Sequence, residues 1–150
     1  MRRLLRQQVN KMFIINCKNY NEISGEKINK LAAIAEKISK KYKVQIAIAP
    51  PHHLLASIKK SKLLVFAQHL DDVKIGSTTG YMVPEIVKKS KVNGALINHS
   101  EHRISSKEII NLVKRLKKLK MKTVVCVKNV REAETYAKLT RHILQLSRPN

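Results

Sequence analysis

The chain has 150 residues, 43% of them hydrophobic, the size and composition of one globular domain with an ordinary core. Lysine and arginine number 31 against 10 acidic residues, a formal net charge of +21 that attracts polyanions electrostatically. The two cysteines, Cys17 and Cys126, stand far apart without metal-ligand spacing, which excludes a zinc knuckle and a disulfide framework and points to a reducing, cytoplasmic setting, while no apolar run approaches the roughly 18 residues of a membrane span.

In chain order, residues 1–11 read as a basic extension with no long apolar region or cleavage site. A strand is expected over 13–16. A helix over 26–41 follows, with Ile28, Leu31, Ile34, Ala35 and Ile38 at helical spacing and Ser24 as its cap. The second strand, 44–49, is closed by Pro50-Pro51, and a short helix over 52–60 carries Leu55 and Ile58. After a third strand at 63–67, a loop containing Gly76 and Gly80 leads to a short helix at 84–90, opened by a proline whose missing N–H costs nothing in a first turn. The fourth strand is 94–98. Ser105 and Glu108 have capping-box spacing ahead of Ile109, Leu112, Val113, Leu116 and Leu119, a helix expected to reach Lys120. A fifth strand at 123–127, a helix at 130–139 and a weak sixth strand at 143–146 complete the string.

Strands alternating with helices imply a parallel sheet covered by crossover helices. Two architectures fit: a complete flavodoxin-like doubly wound sheet, or the first part of an eight-stranded β/α barrel, which typically takes about 250 residues. No glycine-rich dinucleotide fingerprint or P-loop motif is present. Apolar segments stop abruptly in polar groups at Asn16-Cys17-Lys18-Asn19, at Gln68-His69 and at Asn98-His99-Ser100-Glu101-His102-Arg103. Strand ends are where α/β proteins carry their chemistry. The lysines are spread over helix-like stretches, 37–43, 59–62 and 114–122, which reads as solvated faces with weak, non-specific affinity for nucleic acid. Aromatic content of 4% offers no base-stacking platform.

These strand ends resemble the triosephosphate isomerase family, in its shorter archaeal form. Phe13-Ile14-Ile15-Asn16-Cys17-Lys18-Asn19 is similar to the family's first-strand motif, Ala49-Pro50-Pro51 to its second-strand ending and Ala67-Gln68-His69 to its third. Gly76-Ser77-Thr78-Thr79-Gly80 resembles the loop that carries a Thr-Gly pair into a neighbouring subunit. Asn98-His99-Ser100-Glu101 is similar to the fourth-strand catalytic motif and Val124-Val125-Cys126-Val127 to the fifth strand. The resemblance covers about residues 12–139 and implies an incomplete TIM barrel of five to six β/α units.

By that resemblance, Lys18 holds the substrate's phosphate and the developing enediolate charge, with Asn16 as its hydrogen-bonding neighbour. Alternation along a strand puts Asn16 and Lys18 on one face and Cys17 on the other. His99 is the electrophile that polarises the carbonyl, kept neutral beside a helix N-terminus, a role for which this family is itself the standard example. Glu101 pairs with Lys18, and Ser100 holds the catalytic carboxylate in the open state. His52, His53, His69 and His102 have no catalytic counterpart and read as structural or exposed, and no metal or other cofactor is expected.

The family's strand-six glutamate, the proton-shuttling base, has no match. After Glu134 there is no acidic residue, Ser147 stands near its place, and residues 140–150 read as a divergent tail. The reading is therefore an isomerase fragment, inactive if nothing else supplies the base. The resemblance further implies a triose phosphate substrate, a homo-oligomer (dimer or tetramer), a cytoplasmic location and no membrane association. The competing reading is a basic α/β binding protein.

Overall fold

The computed structural model describes residues 12–58, 61–139 and 144–146. The basic extension at 1–11, Ser147 and most of the divergent tail lie outside the described residues. Six strands, β1 (Met12–Asn16), β2 (Gln45–Ala49), β3 (Leu64–Ala67), β4 (Gly94–Ile97), β5 (Lys122–Val127) and β6 (Leu144–Leu146), form one sheet in the order β1-β2-β3-β4-β5-β6. Every pairing is parallel.

This order separates the two architectures. A flavodoxin-like sheet runs 2-1-3-4-5 and places the first strand inside the sheet. Here β1 pairs with β2 alone among the described strands, and each later strand adds on the same side, the progression that closes into a barrel. The return paths are α1 (Lys27–Tyr42), a six-residue 3-10 helix at His52–Ser57, α2 (Pro84–Lys89), α3 (Ser106–Lys118) and α4 (Val130–Ala137).

Residue parity sorts the core into two layers. Ile46, Ile48, Val65, Ala67, Ala95, Ile97, Val125 and Val127 face the helices and pack with Ile28, Leu112 and Leu116. Ala47, Ala49, Phe66, Leu96 and Val124, with Met12, Ile14 and Leu64 against them, fill the concave face. The registers Phe66↔Gly94 and Gly94↔Lys122 explain the one strand glycine. A Cβ on Gly94 would meet the Lys122 carbonyl at 2.5 Å and the Phe66 ring at 2.8 Å, so the ring fills the space a side chain would need.

Local expectations hold best for α3. Ser105 Oγ accepts the Glu108 N–H at 3.3 Å while Glu108 Oε2 accepts the Ser105 N–H at 2.8 Å, the reciprocal capping box. Two expectations need correction. Ser24 does not cap α1; its hydroxyl donates to the Asn21 carbonyl at 2.8 Å and closes a short 3-10 turn, Asn21–Ile23, that precedes the helix. Ile34 and Ile38, counted on the buried face of α1, are 56% and 43% exposed, because the helix turns Ile28, Ala32 and Ala35 onto the sheet instead.

Candidate active site

The concave face continues past the C-terminal ends of the strands, where polar residues replace apolar ones. An open cavity of about 460 Å³ lies there, lined by Asn16, Lys18, Asn19, His52, His53, Gln68, His69, His99, Glu101 and His102. Of the residues expected in a site, Asn16, Lys18, His99 and Glu101 come together, whereas Ser100 is exposed and outside the lining.

Lys18 follows β1 in a left-handed conformation (φ 49°), and its N–H donates to Asn16 Oδ1 at 3.1 Å. The turn aims the ammonium across the rim: Lys18 Nζ donates to Glu101 Oε1 at 2.7 Å, a contact between residues 83 apart in sequence. This hydrogen bond raises the lysine above its ordinary value and holds the Glu101 carboxyl below its own, so both stay charged. Both side chains are partly open to solvent, so the pair contributes little to stability. Its value is positional.

The Glu101 backbone N–H donates to His99 Nδ1 at 3.2 Å. An N–H can only donate, so Nδ1 is the acceptor and the ring proton sits on Nε2. Glu101 Oε2, 3.6 Å from Nδ1, has its sister oxygen engaged by Lys18. The amide that sets the tautomer thus comes from the turn itself, while the opening of α3 is occupied by its capping box. A neutral imidazole donating through Nε2 polarises a carbonyl oxygen without surrendering a full proton.

Two residues that the sequence reading passed over hold this arrangement. Gln68 Nε2 donates to the Lys18 carbonyl and to the Ala49 carbonyl, each at 3.0 Å, tying the Lys18 turn to the end of β2. Asn98 is buried and left-handed (φ 64°), donates from Nδ2 to the Cys126 carbonyl at 3.0 Å and accepts the Ile104 N–H at 3.1 Å. It clamps both ends of the His99–Glu101 turn. Arg103 adds a brace, donating to the Asn98 carbonyl at 3.2 Å and to Glu132 at 2.9 Å. The signal was available: Asn16, Gln68 and Asn98 each extend an inward-facing strand parity by one step.

His52, His53, His69 and His102 also border the cavity. His69 is buried, stacks on His102 with ring centroids 3.8 Å apart, and contacts Asp71 at 3.2 Å, while the other Asp71 oxygen accepts the Met82 N–H. Burial first, then the His102 charge, lowers the His69 pKa; burial also lowers that of His52, whose Nε2 is enclosed without a partner. Among the described residues, no group of three histidine, cysteine or acidic side chains is arranged to hold a metal ion.

Residues 11–148 match the family model described as triosephosphate isomerase. The chain belongs to that family. Its relatives include the triosephosphate isomerase of Cenarchaeum symbiosum, 55% identical over 131 residues that make up 87% of this chain and 58% of the relative. That of Saccharolobus solfataricus is 40% identical over 117 residues, 77% of this chain and 52% of the relative. The chain therefore spans somewhat more than half the length of these archaeal isomerases. The fold matches the crystal structure of the Bartonella henselae enzyme with a TM-score of 0.68 at 22% identity, over 87% of this chain and 56% of that one. An incomplete TIM barrel is the architecture all three comparisons support, and no helix among the described residues is long and apolar enough to cross a membrane.

Proposed function

We propose that this chain supplies the electrophilic half of a triosephosphate isomerase site, for the interconversion of dihydroxyacetone phosphate and D-glyceraldehyde 3-phosphate in glycolysis and gluconeogenesis. The observation that carries the reading is the Lys18–Glu101–His99 network, with a lysine cation and an Nε2–H donor on one cavity rim. Removing a proton next to the substrate carbonyl places negative charge on its oxygens. Lys18 offsets that charge, His99 Nε2–H donates to the oxygen that gains it, and Asn16 orients the substrate from the end of β1. Ser100 is assigned the restraint of the catalytic carboxylate before closure. The base itself comes from elsewhere: among the described cavity residues the only carboxylate is Glu101, and Lys18 holds it.

A positioned general base contributes about 10²–10⁴-fold. Residues 1–150 alone should show no turnover above a blank in a coupled assay, and addition of a polypeptide covering the rest of the Cenarchaeum symbiosum relative should bring it out. Turnover in that mixture should fall to background with Lys18→Ala or His99→Gln. Turnover indifferent to both substitutions would overturn the assignment. The same reading places the chain in the cytoplasm as a homo-oligomer, supported by the exposed Ile75 and Tyr81 that flank the Gly76–Gly80 loop. Weak, sequence-independent affinity for nucleic acid is proposed as a second property, on the strength of the +21 charge.

A further inference from the structure

The lysines are not distributed evenly once the chain is folded. Each helix runs back against its strand, so helix C-termini and strand N-termini share the rim opposite the cavity. Lys43, Lys62, Lys91, Lys118, Lys120 and Lys122 are all exposed there. Acids near this end are already paired: Glu36 is engaged by Lys40 Nζ at 3.0 Å and by the Lys62 N–H at 3.2 Å, and Glu85 and Asp72 face Arg115 in the last turn of α3. Glu101, Glu108 and Glu132 lie after strands or in opening helical turns, at the cavity end. Among the described residues, the result is a mixed-charge face around the cavity and, opposite it, a rim whose six named lysines form no ion pair with those acids.

Backbone geometry adds an independent observation. Lys43, Lys91 and Lys120 follow α1, α2 and α3 with φ of 51°, 63° and 54°, the left-handed position that terminates a helix and favours glycine. Three helices thus accept the same strained residue at the same rim. Helix polarity does not require it, because the last turn of each already carries basic side chains. Glycine would terminate each helix without that cost, so the choice of lysine at all three positions asks for a reason beyond helix termination.

We propose that this rim is a docking face for double-stranded nucleic acid, bound through its phosphates without reading sequence. The inference rests on the nucleic-acid affinity proposed above and assigns it a surface. Lysine, a compact point charge, suits phosphate neutralisation, whereas base recognition favours the arginine fork, and the named rim residues are all lysine. Single strands would call for a platform of stacking aromatics, whereas Phe13 and Tyr42 are the exposed aromatics toward this end among the described residues. The exposed row Ile34, Ile38 and Tyr42 runs along one flank of α1 rather than across the lysine rim, and the vesicle arm of the experiment tests it as a membrane surface.

The experiment compares two triple variants of the full chain with equal loss of charge, using mixed-sequence duplex DNA as the probe across a salt series. Lys43→Gly/Lys91→Gly/Lys120→Gly empties the rim positions, and Lys27→Gln/Lys30→Gln/Lys107→Gln removes exposed lysines at the cavity end. The rim triple should weaken binding and reduce the slope of log K against log salt by about 3, at about 0.9 per phosphate contact. It should melt no lower than the parent, since glycine relieves the backbone. The cavity-end triple should leave the slope unchanged. Equal weakening by both triples would overturn the rim while leaving general affinity intact; absence of duplex binding at low salt would overturn both. Stronger binding to phosphatidylserine vesicles than to duplex, lost in the rim triple, would also overturn the proposal, in favour of a membrane surface.

Discussion

Asn98→Ala should cost about 3–5 kcal/mol and release the turn that presents His99. The magnitude follows from what the side chain does. It makes two buried hydrogen bonds, to the Cys126 carbonyl and from the Ile104 N–H, each worth about 0.5–1.5 kcal/mol net, and their loss strands groups whose desolvation costs about 1–3 kcal/mol apiece. Its left-handed backbone, φ 64°, is tolerated by asparagine but costs a Cβ-bearing residue such as alanine about 1–2 kcal/mol. Asn98→Gly removes the same hydrogen bonds without that backbone cost, so it should be about 1–2 kcal/mol less damaging than alanine. A domain's total stability is only about 5–15 kcal/mol, so both effects are measurable by urea unfolding followed by circular dichroism. A functional readout runs alongside. The ¹⁵N spectrum of His99 should show the Nε2–H tautomer in the parent and a tautomer mixture in Asn98→Ala, because the Glu101 amide no longer faces Nδ1. A loss below about 0.5 kcal/mol with an unchanged His99 spectrum would refute the clamp, since that is the range of a bystander substitution.

Gly94→Ala should destabilise by about 1–3 kcal/mol or more, because its Cβ would meet a backbone carbonyl as well as the Phe66 ring and the strand must shift; an unchanged urea midpoint would contradict the packing described for the concave face. For acid sensitivity, His52 and His69 have folded pKa values below their ordinary 6.5, so the unfolded chain binds more protons than the folded one as pH drops past that value. Stability should be flat from about pH 6.5 up to the cysteine range near 9, above which buried Cys17 and Cys126, raised to about 11, begin to cost stability, and it should decline as pH falls below 6.5, before carboxylates with lowered pKa values such as Glu108 protonate and remove more. His52→Leu should flatten the first part of that acid-side decline without loss at neutral pH, since it also removes the unpartnered Nε2; an identical pH profile in the variant would refute the assignment.

Much of the fold was legible because its causes are local. The Ser105–Glu108 box and the stripe from Ile109 to Leu116 act within a few residues, and α3 appears where they put it. Where the cause is distant, the reading slipped. Ile34 and Ile38 have the right spacing for burial, but which flank of α1 meets the sheet is set by packing, and the small Ala32 and Ala35 allow the closer approach. At the site, Lys18 and His99 were recognisable from motif and strand-end position, whereas Gln68 and Asn98 act through backbone carbonyls of other strands, partners that no linear pattern displays.

The sequence by itself determined the alternation of strands and helices, the polar endings of three strands and the kinship with triosephosphate isomerases, because periodicity, capping and turn chemistry are written in neighbouring residues. Periodicity left the sheet order open and the family resemblance pointed to the barrel; the tertiary structure shows that order directly, since the same units can add on one side or on both and non-local burial makes the choice. It gave the Lys18–Glu101 pairing, expected from the resemblance, its geometry: a 2.7 Å hydrogen bond that keeps both groups charged. It also gathered six lysines that are scattered along the chain, Lys43, Lys62, Lys91, Lys118, Lys120 and Lys122, at one end of the sheet, because each helix returns antiparallel to its strand and delivers its basic terminus to the same face.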